Sequence, residues 1–279
     1  MSLTEFLSYF SFSYVRHAFI VGALVALCAS LLGVVLVLRR YSYLGDGLSH
    51  VAFGGMAIAT VLNMTDNLML VMPLAIISAI ILLSGAENKK IGGDASLAML
   101  SVGSLSVGYI LLNLFPASSN VAADVCSSLF GSASILTLKS SDVILCVVMS
   151  LSVLCVFVLF YNKIFALTFD PVFMQGTGGN AKACNLLLAT LTAVIISISM
   201  RLVGSLLVSA LIIFPAISAM TLQRSFKKAI VSSAAIGVIC ALLGMVCSLV
   251  FSTPTGATIV TLDIAAFFIC KITAKALGR

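Results

Sequence analysis

Residues 17–38 read HAFIVGALVALCASLLGVVLVL, an apolar run without Asp, Glu, Lys or Arg that is followed at once by Arg39 and Arg40. A transmembrane helix needs about 20 apolar residues to cross the hydrocarbon core of a bilayer. This run is therefore long enough to span a membrane, and it ends in a basic pair suited to a membrane surface. The fold class depends on how many more such runs the chain contains.

Eight further apolar runs follow along the chain. They cover Leu44–Leu62, Leu68–Leu83, Leu97–Phe115, Val143–Phe160, Asn185–Met200, Leu202–Leu222, Ala229–Phe251 and a last run that begins near Ala257. Only Arg201 separates the sixth run of the chain from the seventh, so one of these two is expected to be short, broken or re-entrant. Val203-Gly204-Ser205 and Pro215 are the expected weak points. The sequence predicts an all-α polytopic membrane protein with eight to nine transmembrane helices in a single domain, residues 1–279.

Composition supports a membrane protein and excludes several functions. Of the 279 residues, 61% are hydrophobic and 9% charged, and the mean hydropathy is +1.24. A soluble domain has roughly 45–50% apolar and about 25% charged residues. Eight or nine spans use roughly 160–180 residues, which leaves no room for a soluble catalytic or nucleic-acid-binding domain. The chain also lacks a Gly-rich phosphate loop followed by Lys-Ser/Thr, so ATP-driven work would require an ATPase on another chain.

The basic residues predict how the chain is oriented, because cytoplasmic loops are enriched in Lys and Arg. If all nine runs span, three basic residues lie outside (Arg16, Lys139 and Arg201) and twelve lie inside. The inside group is Arg39, Arg40, Lys89, Lys90, Lys163, Lys182, Arg224, Lys227, Lys228, Lys271, Lys275 and Arg279. The prediction is a multi-pass protein of the cell membrane with its N-terminus outside, its C-terminus in the cytoplasm and its longest inside loop at Tyr161–Cys184.

Asp46 and His50 are the clearest polar pair within a predicted span. They are four residues apart, so on a helix they lie on the same face. Ten residues at about 1.5 Å each separate His50 from Arg40, which places the imidazole about 15 Å deep and near the bilayer midplane. Ser49, Gly54 and Ala57 are small enough on this face to leave space or to allow close helix packing.

Three interpretations of the Asp46–His50 pair remain open at this point. The pair can be a structural hydrogen bond, a proton relay, or a site for a divalent metal, because carboxylate oxygen and neutral imidazole are common ligands of Zn²⁺ and Mn²⁺. Two ligands are too few for a tight four-coordinate site. A carrier that releases its cargo, or a site shared across a symmetric dimer, would suit so small a ligand set.

Other polar residues are weaker candidates. Asp263 lies within the last run, where it can either face the transport pathway together with Ser49 or hydrogen-bond to Thr261 or Thr258 at the membrane interface; the second arrangement is favoured. His17 is interpreted as an interfacial histidine and Arg201 as a boundary residue.

The long inside loop contains a second candidate site. Phe169-Asp170-Pro171 is followed by Phe173 and by a glycine cluster at Gly176–Gly179. Asp170 can cap a short helix that has Pro171 at its first position. Such a helix is either a docking element on the cytoplasmic face or an ordinary capped loop.

Four segments together resemble the permease subunits of metal-uptake ABC transporters, the zinc/manganese/iron family often called ABC-3. Arg39–His50 is similar to the arginine-rich turn and Gly-Asp-x-Leu-Ser-His motif of that family, and Phe169–Gly179 to its cytoplasmic coupling segment. Arg201–Ala216 and Pro254–Val260 match two further motifs. The matches run in family order across nearly the whole chain. Phe53-Gly54 departs from the more usual Leu-Pro of the family.

The resemblance implies the fold of a type II-like ABC importer permease that works as a homodimer with a cytoplasmic dimer of ATPase subunits and an external metal-binding solute-binding protein. Asp46 and His50 would be transient metal ligands, and no cofactor would be permanently bound. The ATPase contact would include Phe169, Asp170, Pro171, Phe173, Gly176 and Gly179. The chain would be a transport subunit in contact with membrane lipid, not an enzyme and not a nucleic-acid-binding protein.

The expected function is therefore ATP-driven import of a divalent transition metal (Zn, Mn or Fe) by alternating access. The alternative is a proton-coupled secondary transporter of an ion or small solute that uses Asp46 and His50 as a proton relay. An intramembrane metalloenzyme is disfavoured, because the chain has only two histidines and no predicted span contains a glutamate of the kind that such sites use.

Overall fold

The computed structural model describes residues 12–64, 68–85, 93–115 and 140–276, and all regular elements among them are α-helices. They are α1 (Ser13–Leu38), α2 (Leu44–Val61), α3 (Leu68–Gly85), α4 (Gly93–Leu114), α5 (Ser140–Leu159), α6 (Tyr161–Phe169), α7 (Pro171–Gly176), α8 (Ala181–Val203), α9 (Ser205–Leu222), α10 (Phe226–Phe251) and α11 (Thr255–Ala276). The predicted all-helical fold is confirmed.

All nine predicted runs lie in helices, although the count of eight to nine spans is approximate. Seven of the described helices are long and apolar enough to cross a membrane, namely α1, α4, α5, α8, α9, α10 and α11. The apolar part of α3, Met69–Leu82, is shorter, and α2 has 18 residues and contains Asp46 and His50. The inside–outside orientation remains a prediction; Lys89, Lys90, Lys139 and Arg279, which contribute to it, lie outside the described residues.

Helix α1 lies at the centre of the bundle. Most of its residues from Val21 to Leu36 are buried, and it packs against α9, α10 and α5. Helix α9 packs in turn against α11, while α8 packs against α3 and α2, and α2 packs against α4. Helices α2 and α9 also touch each other. The helix that carries Asp46 and His50 is therefore surrounded by others on several sides.

Glycines allow some of these helices to approach each other very closely. A β-carbon built on Gly33 of α1 would overlap the carbonyl oxygen of Ile212 in α9. A β-carbon on Gly54 would lie 2.9 Å from the carbonyl oxygen of Ser104, so α2 and α4 also meet backbone to backbone. Small residues at helix crossings are the usual means of tight packing in membranes, where lipid tails compete with apolar side chains.

The break between α8 and α9 is at Gly204, within the weak point that the sequence predicts. Gly204 has φ 99° and ψ 153°, a backbone conformation that is essentially restricted to glycine. Arg201 was interpreted as the boundary, but α8 continues through it to Val203. Pro215, the second expected weak point, lies inside α9 without ending that helix.

Backbone hydrogen bonds hold the turn from α1 to α2. Tyr41 N–H donates to the carbonyl of Leu36 (2.8 Å) and Arg40 N–H to that of Val37 (3.0 Å), which is the Schellman pattern for a helix end. Arg40 has φ 63° and occupies the position where glycine is most common. Leu44 N–H then donates to the carbonyl of Tyr41 (3.0 Å), so α2 starts directly from this turn.

The substitution Gly33→Ala should destabilise the bundle, whereas Gly103→Ala should not. Alanine favours a helix over glycine by about 1 kcal/mol at both positions. Only at Gly33 would the added methyl group meet a neighbouring backbone, since a β-carbon on Gly103 has no atom within 4 Å. Overpacking of this kind costs on the order of 1–3 kcal/mol. Thermal unfolding in detergent should show a lower midpoint for Gly33→Ala alone; equal midpoints for the two variants would contradict the close α1–α9 crossing.

Candidate functional site

Asp46 and His50 lie together near the start of α2, as the spacing predicts. Asp46 is in the first turn of the helix, where the positive end of the helix dipole favours a carboxylate. His50 Nε2 lies 3.6 Å from Asp46 Oδ2, and the two side chains are 19% and 52% exposed. The other ring nitrogen, His50 Nδ1, is buried and has no hydrogen-bond partner among the described residues. The pair is thus open on the Asp46 side and closed behind the imidazole ring.

Helix α2 is packed tightly on its other sides by means of glycines. A β-carbon on Gly45 would lie 2.9 Å from the side chain of Ile212 in α9, and one on Gly55 would lie 3.2 Å from Leu74 in α3. A β-carbon on Gly47 would crowd Leu97 of α4. These contacts position α2 against three neighbours and leave Asp46 on the side that the described helices do not cover.

The distance between Asp46 and His50 suits a bridging metal ion. Suppose that an ion lies about 2.1 Å from both Asp46 Oδ2 and His50 Nε2. Because these two atoms are 3.6 Å apart, the angle between them at the ion would be about 118°. That angle is close to tetrahedral, so neither side chain would need to move far. The described residues contain no group of three or more His, Cys, Asp or Glu that could hold a metal. A metal bound by Asp46 and His50 alone would keep sites for water or for further ligands.

Ser49 and Asp263, the two candidate pathway residues, do not join this pair on its open side. Ser49 is buried and its hydroxyl donates to the carbonyl oxygen of Asp46 (2.7 Å). Asp263 lies on α11, which packs against α9 and α10, and is 1% exposed. The structure places Ser49 inside the α2 packing and Asp263 in the interior of a different group of helices.

The expected hydrogen bond between Asp263 and a neighbouring threonine is not formed. Thr261 donates to the carbonyl of Ala257 (2.8 Å) and Thr258 to that of Pro254 (2.9 Å). Both carboxylate oxygens of Asp263 are without a hydrogen-bond partner among the described residues. The expected threonine partner is therefore wrong, because α11 turns this carboxylate toward α10, where Cys240 lies beside it.

The predicted short helix of the inside loop is present as α7. Asp170 Oδ1 accepts a hydrogen bond from Phe173 N–H (2.8 Å), and Pro171 occupies the first turn. The side chains of Phe169, Val172 and Phe173 are exposed. Apolar side chains on the outside of a capped helix form a surface that a partner protein could cover.

The glycines of this segment have different roles. Gly178 has φ 82° and makes the turn after α7. A β-carbon on Gly179 would lie 2.8 Å from the carbonyl oxygen of Met174, whereas one on Gly176 would meet no atom within 4 Å. Gly179 is therefore required for the close turn into α8, while Gly176 has free space around it.

Sequence reasoning missed an aromatic cluster that attaches α6 to α10. The ring of Phe226 lies 5.7 Å from that of Tyr161, 5.3 Å from that of Phe165 and 5.6 Å from that of Phe169. Tyr161, Phe165 and Phe169 are spaced four residues apart along the chain and so share one face of α6. That spacing is visible in the sequence, but their partner at the start of α10 is not.

Sequence reasoning also missed a polar contact between the α1–α2 turn and α8. Arg39 Nη1 donates a hydrogen bond to Asn185 Oδ1 over 2.5 Å. The two residues are 146 positions apart, so no local pattern in the sequence could have indicated their contact.

Comparison with known proteins gives a consistent assignment. The family model of the ABC 3 transport family matches residues 11–274. The chain is 27% identical over 268 residues to the manganese transport system membrane protein MntC of Listeria monocytogenes, covering 96% of this chain and 93% of that protein. It is 28% identical over 249 residues to the high-affinity zinc uptake system membrane protein ZnuB of Haemophilus influenzae, covering 89% and 93%. A probable iron transport system membrane protein of the same organism is 29% identical over 269 residues, covering 94% and 93%.

Two solved structures have a similar fold. PsaBC from Streptococcus pneumoniae, in complex with Fab, superposes with a TM-score of 0.84 at 25% identity and covers 96% of this chain and 95% of that one. An inward-facing putative metal-chelate type ABC transporter superposes with a TM-score of 0.70 at 16% identity, covering 93% and 85%, and supports the fold alone. The match over residues 11–274 and the shared fold show that this multi-pass membrane protein belongs to the ABC 3 transport family.

Proposed function

We propose that the chain is the membrane-spanning permease subunit of an ATP-driven importer that carries a divalent transition metal ion into the cytoplasm by alternating access. The observation that carries this proposal is the Asp46–His50 pair, which lies on a tightly packed membrane helix with one open side. Relatives of the chain are described as manganese, zinc and iron transport proteins, and all three metals accept oxygen and imidazole ligands.

The transported ion would exchange part of its water shell for Asp46 Oδ2 and His50 Nε2. Their separation of 3.6 Å allows both atoms to reach one ion without a large rearrangement. Because Asp46 and His50 supply only two ligands, the ion would keep other positions for water and would be bound weakly enough to be released. A complete cage of protein ligands would hold the ion and stop transport.

A second copy of the chain would cover the open side of the pair. Asp46 is 52% exposed in the single chain, and a carboxylate that faces lipid is costly, whereas one that faces a water-filled path or a partner is not. In a symmetric homodimer, two Asp46–His50 pairs facing the same axis would supply up to four ligands to a shared path. The metal path would then lie between the two copies.

The energy for transport would come from a separate ATPase subunit bound to the segment Phe169–Gly179. This segment presents the exposed side chains of Phe169, Val172 and Phe173 on a capped helix. The predicted orientation places it on the cytoplasmic side, where ATP is available. An external solute-binding protein would deliver the metal from the opposite side of the membrane.

The substitutions His50→Ala and Asp46→Ala should each reduce metal uptake by about tenfold or more, because each removes one of two protein ligands. The measurement is ⁵⁴Mn²⁺ uptake by cells that express the permease with its ATPase and binding protein. His17→Ala is the matched control, since it removes the other histidine of the chain and should leave uptake unchanged. Undiminished uptake in both site variants would contradict the assignment. Uptake that persists in ATP-depleted vesicles would favour the proton-coupled alternative.

Metal binding should weaken as the medium becomes acidic, because a protonated imidazole has no lone pair for a metal ion. The comparison is made between about pH 7.5 and about pH 5.5. The measurement is equilibrium dialysis of Mn²⁺ with the purified permease. His50→Asp, whose new carboxylate is less sensitive in this range, should show a flatter pH profile. Equally steep profiles for the two proteins would contradict the assignment of His50 as a metal ligand.

The substitution Phe173→Ala should weaken capture of the ATPase subunit by about tenfold, since exposed aromatic side chains often dominate the binding energy of an interface. The measurement is co-purification of the ATPase with tagged permease. Phe251→Ala is the matched control, because Phe251 is also an exposed phenylalanine but lies at the far end of α10. Equal capture by both variants would place the ATPase contact elsewhere.

A further inference from the structure

We infer that the hydrogen bond between Arg39 and Asn185 transmits motion of the ATPase-binding segment to the helix that carries Asp46 and His50. This inference rests on the proposed function and adds two positioning residues that act on the metal path without touching the metal. The contact itself is direct: Arg39 Nη1 lies 2.5 Å from Asn185 Oδ1. Hydrogen bonds from a guanidinium are stronger than those between neutral groups. Arg39 and Asn185 are therefore expected to stay bonded when one of them is displaced.

On one side of this bond, Arg39 is joined rigidly to the start of α2. It caps α1, and its own N–H donates to the carbonyl of Val35 (3.1 Å). The Schellman turn that follows leads into α2 at Leu44, only two residues before Asp46. No freely rotating linker separates Arg39 from the metal-site helix, so a displacement of Arg39 displaces the first turn of α2.

On the other side, Asn185 is joined rigidly to the segment Phe169–Gly179. It lies in the first turns of α8, whose start is capped by Asn180 Oδ1 accepting from Ala183 N–H (3.0 Å). The preceding turn is closed by Gly179 N–H, which donates to the carbonyl of Met174 (2.8 Å). A movement of α7 therefore reaches Asn185 through a short, hydrogen-bonded turn.

The bond is protected from water on the side of Asn185, which is 7% exposed, while Arg39 is half-buried. A charge-assisted hydrogen bond with one buried partner is costly to break, because the buried group is then left unsatisfied. Helix α8 meets α2 a second time, where Met200 packs in one apolar cluster with Ala52 and Phe53. Helix α8 thus contacts α2 directly through this apolar cluster. It also contacts the turn before α2 through the hydrogen bond between Asn185 and Arg39.

The test is the ratio of metal transported to ATP hydrolysed, measured with Mn²⁺ in proteoliposomes that contain the permease, its ATPase and its binding protein. Asn185→Ala should lower this ratio by about fivefold, while the complex still assembles and hydrolyses ATP. Asn185→Asp keeps an oxygen acceptor for Arg39 and should restore the ratio. Ser233→Ala is the matched control: it removes another buried hydrogen bond between helices, from Ser233 Oγ to the carbonyl of Ser30 (2.9 Å), and should leave the ratio unchanged.

Each outcome bears on the inference. A normal ratio in Asn185→Ala, or an equal fall in Ser233→Ala, would overturn it. If Asn185→Ala fails to assemble, Arg39→Lys replaces it, because lysine keeps the charge but loses the planar geometry of the guanidinium; a normal ratio in Arg39→Lys would then overturn the inference. Failure of the unmodified complex to move Mn²⁺ with ATP would instead refute the proposed function.

Discussion

The need to satisfy an ionisable pair of side chains on a tightly packed helix governs how the rest of the structure can be understood. Backbone groups in a bilayer are satisfied within helices, whereas the side chains of Asp46 and His50 need partners of their own. Their side chains are 3.6 Å apart, and His50 Nδ1 is buried without a hydrogen-bond partner among the described residues. The open side at Asp46 calls for water, a metal ion or a second copy of the chain. The proposed metal path and the proposed homodimer both follow from this one requirement.

The helices around α2 are arranged so that the pair can be held firmly and still be moved. Glycines bring α9, α4 and α3 against α2, so its position depends on theirs. The aromatic cluster around Phe226 attaches α6 to α10, and the Arg39–Asn185 hydrogen bond attaches α8, which follows α7, to the α1–α2 turn. Packed helices move by small rigid displacements rather than by bending freely. In our account, ATP-driven movement of the loop reaches the metal path through such contacts.

Much of this could be predicted from local sequence patterns. Uninterrupted apolar runs predict helices because their length matches the bilayer, and the spacing of Asp46 and His50 places them on one helix face. The cap of α7 was predicted because Asp170 and Pro171 favour the first turn of a helix for local reasons. The break at Gly204 falls within the segment Val203-Gly204-Ser205 that the sequence predicts, although α8 continues through Arg201, which separates the two apolar runs. Only the backbone conformation reveals which residue interrupts the helix.

Features that depend on distant parts of the chain could not be predicted. The Arg39–Asn185 bond joins residues 146 positions apart, and the partners of Phe226 lie on another helix. Asp263 was expected to bond with a neighbouring threonine, yet the rotation of α11 buries it beside Cys240. Helix rotation is set by packing against neighbours, and an apolar run without a clear polar face does not record it.

The most direct test of the central claim is electron paramagnetic resonance of Mn²⁺ bound to the purified permease, with detection of magnetic coupling to ligand nitrogen. If Asp46 and His50 hold the transported ion, the bound Mn²⁺ will show coupling to an imidazole nitrogen, and ¹⁵N-labelling of histidine will change that signal. His50→Ala will abolish the coupling, and His17→Ala will leave it intact. Bound Mn²⁺ without nitrogen coupling, or with a signal that survives His50→Ala, would contradict the account.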